Sequence, residues 1–386
     1  MRFPSNARII LVALAATVIG VATAPRASAQ PQYNIVSLGV AHPGDTTSSG
    51  QGVSPNGTYV AGFSSVTGAN HALRWTQAGG TTGLPSLAGR NFNSANAVNN
   101  LGTAAGTAAT TFFGSNPLPV IWQGGTVAQL PLPDGQTIGR VNGINSSNLA
   151  VGSVNGGSTE QAATFTTAGS GVITQTLPNG GVLRTAFAVN DAGRIVGQGT
   201  DPTNAAVTKG WYLDPGDATA TDIGALTSLG HNSAIPFGLS SNGLVTGSSS
   251  LNSGSGALPF IWSETGGMQA VPLPAGTTTG QGRGVNASGW VVGNSSAATS
   301  VPFLFDGTQS YRLQDLIPAG SGWDLVGGTS NAAFGISDTG IITGRGLFNG
   351  VVTGFVLVPV PEPTVGVLAI AAVAGVATRR RGQKRV

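Results

Sequence analysis

The 386-residue chain contains no cysteine. Disulfides, thiolate metal sites, iron–sulfur clusters and thiol catalysis are therefore excluded. Charge is scarce too: Asp, Glu, Lys and Arg make up only 8% of the residues. Histidine occurs at His42, His71 and His231 alone, with no HxH or HExxH spacing, so each reads as a solvated loop residue. There is no Gly-x-Ser-x-Gly elbow. Of the 17 Lys and Arg, three fall in residues 1–29 and five after residue 378. Only Glu362 among the 14 acids lies in the tail, so the body keeps nine basic and 13 acidic residues and is mildly acidic. A duplex or single-strand binder needs a positive stripe to displace counterions, so nucleic acid is excluded as a partner.

What the chain has in quantity is glycine, 61 residues, within a 40% apolar background. The glycines are ordered by a phrase that returns seven times: small apolar residue, Asn or Ser, two turn residues, Gly, apolar pair, Gly. It reads Val53-Ser54-Pro55-Asn56-Gly57 with Gly62, Val98-Asn99-Asn100-Leu101-Gly102 with Gly106, and Ile144-Asn145-Ser146-Ser147-Asn148 with Gly152. It continues at Val189-Asn190 with Gly197, Leu239-Ser240 with Gly247, Val285-Asn286 with Gly293 and Ile336-Ser337 with Gly344. The closing glycines are 44, 46, 45, 50, 46 and 51 residues apart.

A polar residue followed three places later by Gly, between short β-branched runs, predicts a hairpin: Asn or Ser accepts a turn amide, and Gly takes the left-handed position. The closing Gly is expected where a neighbouring backbone passes close. Each phrase is followed by an aromatic strand such as Pro119-Val120-Ile121-Trp122 or Pro259-Phe260-Ile261-Trp262, apolar at every second position. Each is preceded by a further short strand, Ile35–Leu38 before the first and Leu313–Leu316 before the last. Four strands per unit predict an all-β fold, a seven-bladed β-propeller of four-stranded blades over residues 30–358. A unit exposes too much apolar surface alone, so stacking is required. An open β-solenoid is the competing architecture. The third unit, with Asn148 for Gly and Phe165 for Trp, is expected to pack least tightly.

No catalytic residue and no metal or cofactor set is predicted. The closest acidic cluster, Asp214, Asp217 and Asp222, reads as a solvated turn; Asp191 and Asp338 read as turn formers. A glycosidase would need two carboxylates within ~5–10 Å, and thirteen acids leave such a pair open. Trp75, Trp122 and Trp262 recur at one position and are expected to pack between blades. Trp323, in Gly320-Ser321-Gly322-Trp323-Asp324, is the candidate ligand contact.

The two ends differ from the body. Arg2 and Arg8, an apolar stretch from Ile9 to Ala24, and Ala27-Ser28-Ala29 before Gln30 predict a helical secretory signal peptide over residues 1–29, cleaved after Ala29 and routed through the Sec export machinery. At the other end, residues 359–386 hold Pro361-Glu362-Pro363, an uncharged stretch from Thr364 to Thr378, and Arg379-Arg380-Arg381. The stretch predicts a short membrane helix of roughly 22 Å at ~1.5 Å per residue, with its basic end on the cytoplasmic side.

These three tail elements, in that order, resemble the PEP-CTERM sorting signal of Gram-negative bacteria. The resemblance implies transient inner-membrane anchoring, processing by an exosortase, and delivery to the cell surface or extracellular matrix. The body repeats resemble the extracellular HAF-type repeat over roughly residues 33–358. The resulting expectation is an exported, non-enzymatic propeller whose loops bind polysaccharide or a surface partner. The competing expectations are an extracellular glycan hydrolase or lyase on the same scaffold, and a structural matrix component.

Overall fold

Each repeat phrase folds as a tight antiparallel hairpin. In the first, the strand Thr47–Val53 runs into the turn at Ser54–Thr58 and returns as Tyr59–Val66. Ser54 accepts the Tyr59 amide through Oγ at 3.0 Å, and Asn99 Oδ1 accepts the amides of Leu101 and Thr103 at 3.0 Å in the second. The turn glycines Gly57 and Gly102 have φ of 76° and 78°; Asn148 fills the same position in the third turn at 61°. The phrase therefore closes each turn as its residue types require.

The computed structural model describes residues 30–111, 114–252 and 254–361. Over these the chain is all-β and of β-propeller type, with 3-10 turns only at Gly157–Thr159, Thr227–Leu229 and Leu313–Leu316. Residues 1–29, with Ala27 and Ala29, lie outside the described residues. So does the tail from Glu362, including Pro363, Arg379, Arg380 and Arg381. Among the described residues no helix is long and apolar enough to cross a membrane.

Beyond each hairpin the sheet adds the aromatic strand and a short outer strand, as in Gly139–Ile144, Ala150–Val154, Gln161–Phe165 and Ser170–Val172. The sheets containing Thr47–Val53 and Phe92–Val98 are joined through one parallel bridge, Asn70 to Phe92. The last sheet is completed from the other end of the chain: Tyr33–Ser37 pairs antiparallel with Val351–Pro359. Outer strands end earlier than their sequence suggests. Thr126–Gln129 stops before Leu130-Pro131, and Leu313–Leu316 is a 3-10 turn. Proline cannot donate to the ladder, and the leucine leaving the strand is used as a plug: Leu38, Leu130, Leu177 and Leu316 are buried.

Packing between sheets follows the aromatic strands. Trp75 clusters with Ile341 and Val356 of the last sheet, Trp122 with Ala61 and Ala72 of the preceding sheet, and Trp262 with Val196 and Tyr212. Phe165, in the unit expected to be loosest, is fully buried. The closing glycines also earn their place: a Cβ at Gly62, Gly152 or Gly344 would overlap the carbonyl oxygen of Ser49, Arg140 or Ala332 on the paired inner strand.

The turns are bonded to one another around the molecule. Asn99, Asn145 and Asn190 donate through Nδ2 to Asn145, Asn190 and Ser240 carbonyls at 2.9, 3.1 and 3.3 Å. Asn242 donates to Ala287 O and Asn286 to Ser337 O. The Asp338 amide returns to Pro55 O at 2.8 Å, and the Asn56 amide bonds Asn100 Oδ1. One Asn side chain thus closes its own turn and ties it to the next.

Candidate functional site

The strands opening each hairpin line a central channel of about 190 Å³. They all run the same way, from a loop face, where the chain leaves each outer strand, to a turn face carrying the Asn and Ser turns. Each has a bulge in the same place: at Gln51, Asn96, Asn142, Phe187, Phe237, Arg283 and Phe334 one extra residue is inserted between paired neighbours. A bulge re-aims the inserted side chain. One side of the channel is thereby lined by amides, the other by phenylalanine rings. Asn96 and Asn142 spend their Nδ2 groups on Val141 O and Ala186 O. Phe187 and Phe237 meet edge to face at 5.2 Å.

Arg283 is the charged member of this set. It opens into a cleft of about 360 Å³ on the loop face, shared with Arg345, Gln281, Asn294, Ser300 and Phe334, among others. Among the described residues no Asp or Glu lines the cleft. The guanidinium of Arg283 sits 4.4 Å over the Phe237 ring, and its Nε is buried with no hydrogen-bond partner. Burial holds Arg283 below the usual arginine range, and does the same to Arg345. Arg345 gives Nε to Ser330 O at 2.7 Å and lies over the Phe334 ring at 5.7 Å. Asn331, 1% exposed, lines the same cleft with both side-chain polar atoms unpaired.

The other described cations are occupied. Arg74, Arg90, Arg140, Arg184 and Arg312 donate to carbonyl oxygens. Arg194 forks onto Asp214 at 2.7 and 2.5 Å, and Lys209 lies 3.2 Å from Asp222. Arg283 has only an aromatic face. A guanidinium with free donors that shares a cleft with a second one suits an anion, and its planar fork fits a carboxylate.

The residues singled out from the sequence fall elsewhere. Trp323 is 7% exposed and packs against Phe348 and Phe355, at 5.0 and 6.0 Å, leaving no face for a ligand. Asp191 accepts the Ser146 amide and hydroxyl, and Asp338 accepts the Ala287 amide and Ser241 hydroxyl, so both join neighbouring turns. Asp214 pairs with Arg194 and gives its amide to Asp217 Oδ2 at 3.1 Å, while Asp222 pairs with Lys209. Pro361 lines a cleft on the turn face with Asn56 and Thr339. His42 and His71 come together on the loop face. Arg283 and Arg345 escaped the sequence reading, although each carried a signal: an arginine between two glycines, in Gly282-Arg283-Gly284 and Gly344-Arg345-Gly346, within a charge-poor chain.

No family model matches the chain, and no curated protein matches it. Solved structures do. An oligogalacturonate lyase from Vibrio parahaemolyticus superposes with a TM-score of 0.54 at 11% identity, covering 86% of this chain and 98% of that one. An acylaminoacyl peptidase gives 0.44 at 12% identity over 78% of this chain and 50% of that one. A prolyl endopeptidase structure gives 0.48 at 10% identity over 78% and 46%. The expectation of a non-enzymatic protein is corrected here: the oligogalacturonate lyase, an enzyme, is matched over nearly its whole length. At such identity the likeness concerns the fold, so the chemistry must come from the chain's own residues.

Proposed function

We propose that this chain is an exported enzyme acting on acidic polysaccharide, built as a ring of seven blades, with a uronate carboxylate held between Arg283 and Arg345 at the channel mouth. The observation that carries this reading is Arg283, whose Nε is buried without a hydrogen-bond partner in a cleft that has no carboxylate among the described residues. A bound carboxylate supplies the missing acceptor, and the neighbouring neutral side chains, Gln281, Asn294 and Ser300, suit sugar hydroxyls. The rings of Phe237 and Phe334 hold the two guanidinium groups in place.

The same cleft favours elimination over hydrolysis. Glycoside hydrolysis uses paired carboxylates ~5–10 Å apart, and among the described residues none line the cleft. Elimination instead moves the C5 proton, beside the uronate carboxyl group, by way of water to the departing C4 oxygen, so that the C4–O glycosidic bond breaks as the C4–C5 double bond forms; cationic donors on that carboxylate stabilise the charge that develops. The fold supports the enzymatic half of the reading, since an oligogalacturonate lyase shares it. The test is incubation with polygalacturonate and other polyuronates. Ultraviolet absorbance from unsaturated uronate is expected. New reducing ends without that absorbance would replace elimination by hydrolysis; no cleavage and no binding would sink the reading.

The tail bears on where this happens. Val351–Pro359 ends on the turn face, so an anchor following Pro361 would direct the arginine cleft away from the membrane. We propose that an exosortase removes the tail of the exported protein, releasing it to the cell surface or matrix. Intact mass of secreted protein is expected to lack Arg379 to Val386; their retention would refute processing.

A further inference from the structure

We propose that His42 and His71 form a binding site for a divalent transition metal ion of the kind that prefers imidazole, such as Zn²⁺, Ni²⁺ or Cu²⁺. The site is independent of the arginine cleft and of any reaction there. His42 lies in the loop before the strand Thr47–Val53, and His71 near the start of Ala69–Thr76. The hairpin geometry of the first sheet brings them together on the loop face. Their rings stack with centroids 4.6 Å apart and 25° between planes.

What distinguishes the pair from two surface histidines is the orientation of both rings. His71 Nδ1 lies 2.9 and 3.1 Å from the two oxygens of Asp45. The Asp45 side chain is itself fully buried and accepts the Ser64 hydroxyl, whose oxygen accepts the Ala41 amide at 2.8 Å. His42 Nδ1 is 3.0 Å from Pro43 O. A carbonyl oxygen can only accept, so His42 carries its proton on Nδ1, and the Asp45 carboxylate favours the same tautomer in His71. Both Nε2 lone pairs are then left available. One imidazole held by a buried carboxylate and one by a carbonyl is how proteins present histidines to metals. One donor atom of each of His42, Asp45 and His71, a ring nitrogen or a carboxylate oxygen, lies within 4.8 Å of the others, and sharing one ion through both Nε2 atoms requires the exposed His42 ring to turn out of its stack. His42 is exposed, so the remaining coordination positions face water or a ligand.

The chain simplifies the test, because it has three histidines and no cysteine. The full chain, stripped with chelator, is titrated with Cu²⁺ and followed by electron paramagnetic resonance, with Zn²⁺ as competitor. One ion per chain with nitrogen ligands is expected. His42→Gln and His71→Gln should each weaken binding at least ~10-fold, and Asp45→Asn about 10–100-fold, the usual effect of losing an orienting partner. His231→Gln should change nothing. If His71→Gln or Asp45→Asn fails to fold, as judged by circular dichroism, the exposed His42 decides alone. Absence of binding, unchanged affinity in His42→Gln, or an equal loss in His231→Gln would overturn the proposal.

Discussion

A guanidinium nitrogen kept from water without an acceptor costs the folded state free energy, and Arg283 Nε is held that way by the residues around it. Its bulge lifts it out of the strand pairing, and the Phe237 ring lies against it. Arg194 shows the opposite arrangement: it is forked by Asp214, reached by Glu264 at 3.3 Å, and raised well above the ordinary arginine range chiefly by its hydrogen bond to Asp214. Arg194 answers to folding, while Arg283 Nε has no acceptor within the fold. Replacing a poorly compensated buried charge by an apolar residue of similar length is often neutral or stabilising by about 1–4 kcal/mol. Arg283→Met is therefore expected to leave the melting temperature unchanged or raise it. The same substitution should weaken oligouronate binding by about 10–100-fold, as suits a lost charged hydrogen bond worth ~1.5–3 kcal/mol. Calorimetry and a thermal melt on the one variant check both halves. A destabilised variant that still binds would make Arg283 a structural residue.

At the scale of the strand and the hairpin, local chemistry was legible and distant chemistry was not. The Asn/Ser–Gly phrase specifies a turn by itself, because the capping oxygen and the receiving amides lie within five residues. That the same Asn would also reach a carbonyl 46 residues away, as Asn99 reaches Asn145, depends on how sheets stack. The bulges were hidden for a similar reason. A bulge is a mismatch between two strands, and nothing in Gly282-Arg283-Gly284 alone says which residue is the inserted one. The short outer strands were misplaced by a few residues because Leu130-Pro131 looks like strand by apolarity, while proline ends the ladder and leucine turns into the core. Trp323 misled through its glycine-rich setting: Gly320 and Gly322 adopt left-handed turns that fold the indole inward onto Phe348. His42 and His71 are 29 residues apart, and only the hairpin between them makes them neighbours.

At the scale of the whole molecule, each sheet covers its neighbour's apolar side, so the arrangement is stable only if the first and last sheets also meet. The strand Tyr33–Ser37 makes that closure: it pairs along Phe355–Pro359, delivers Leu38 into the core beside Trp75 and Val356, and buries Tyr33 against Leu357 and Ile342. Tyr33 and Leu38 are each 1% exposed. Tyr33 gains nothing polar from its burial; its hydroxyl is unpaired, and desolvation pushes the phenol far above its usual range. The packing must outweigh that cost. Burying two such side chains contributes about 3–6 kcal/mol, a large share of the ~5–15 kcal/mol by which domains are stable. Deleting residues 30–38 is therefore expected to lower the unfolding free energy by at least ~3 kcal/mol, with earlier exposure of the first and last sheets to protease than of the middle ones. Adding the deleted segment back as a peptide should recover part of the loss, because the groove it fills persists. A urea midpoint shifted by less than the equivalent of ~1 kcal/mol would mean that the sheets hold together without this strand, and that the contacts of Gly50 and Gly354 across the seam suffice to join the two ends.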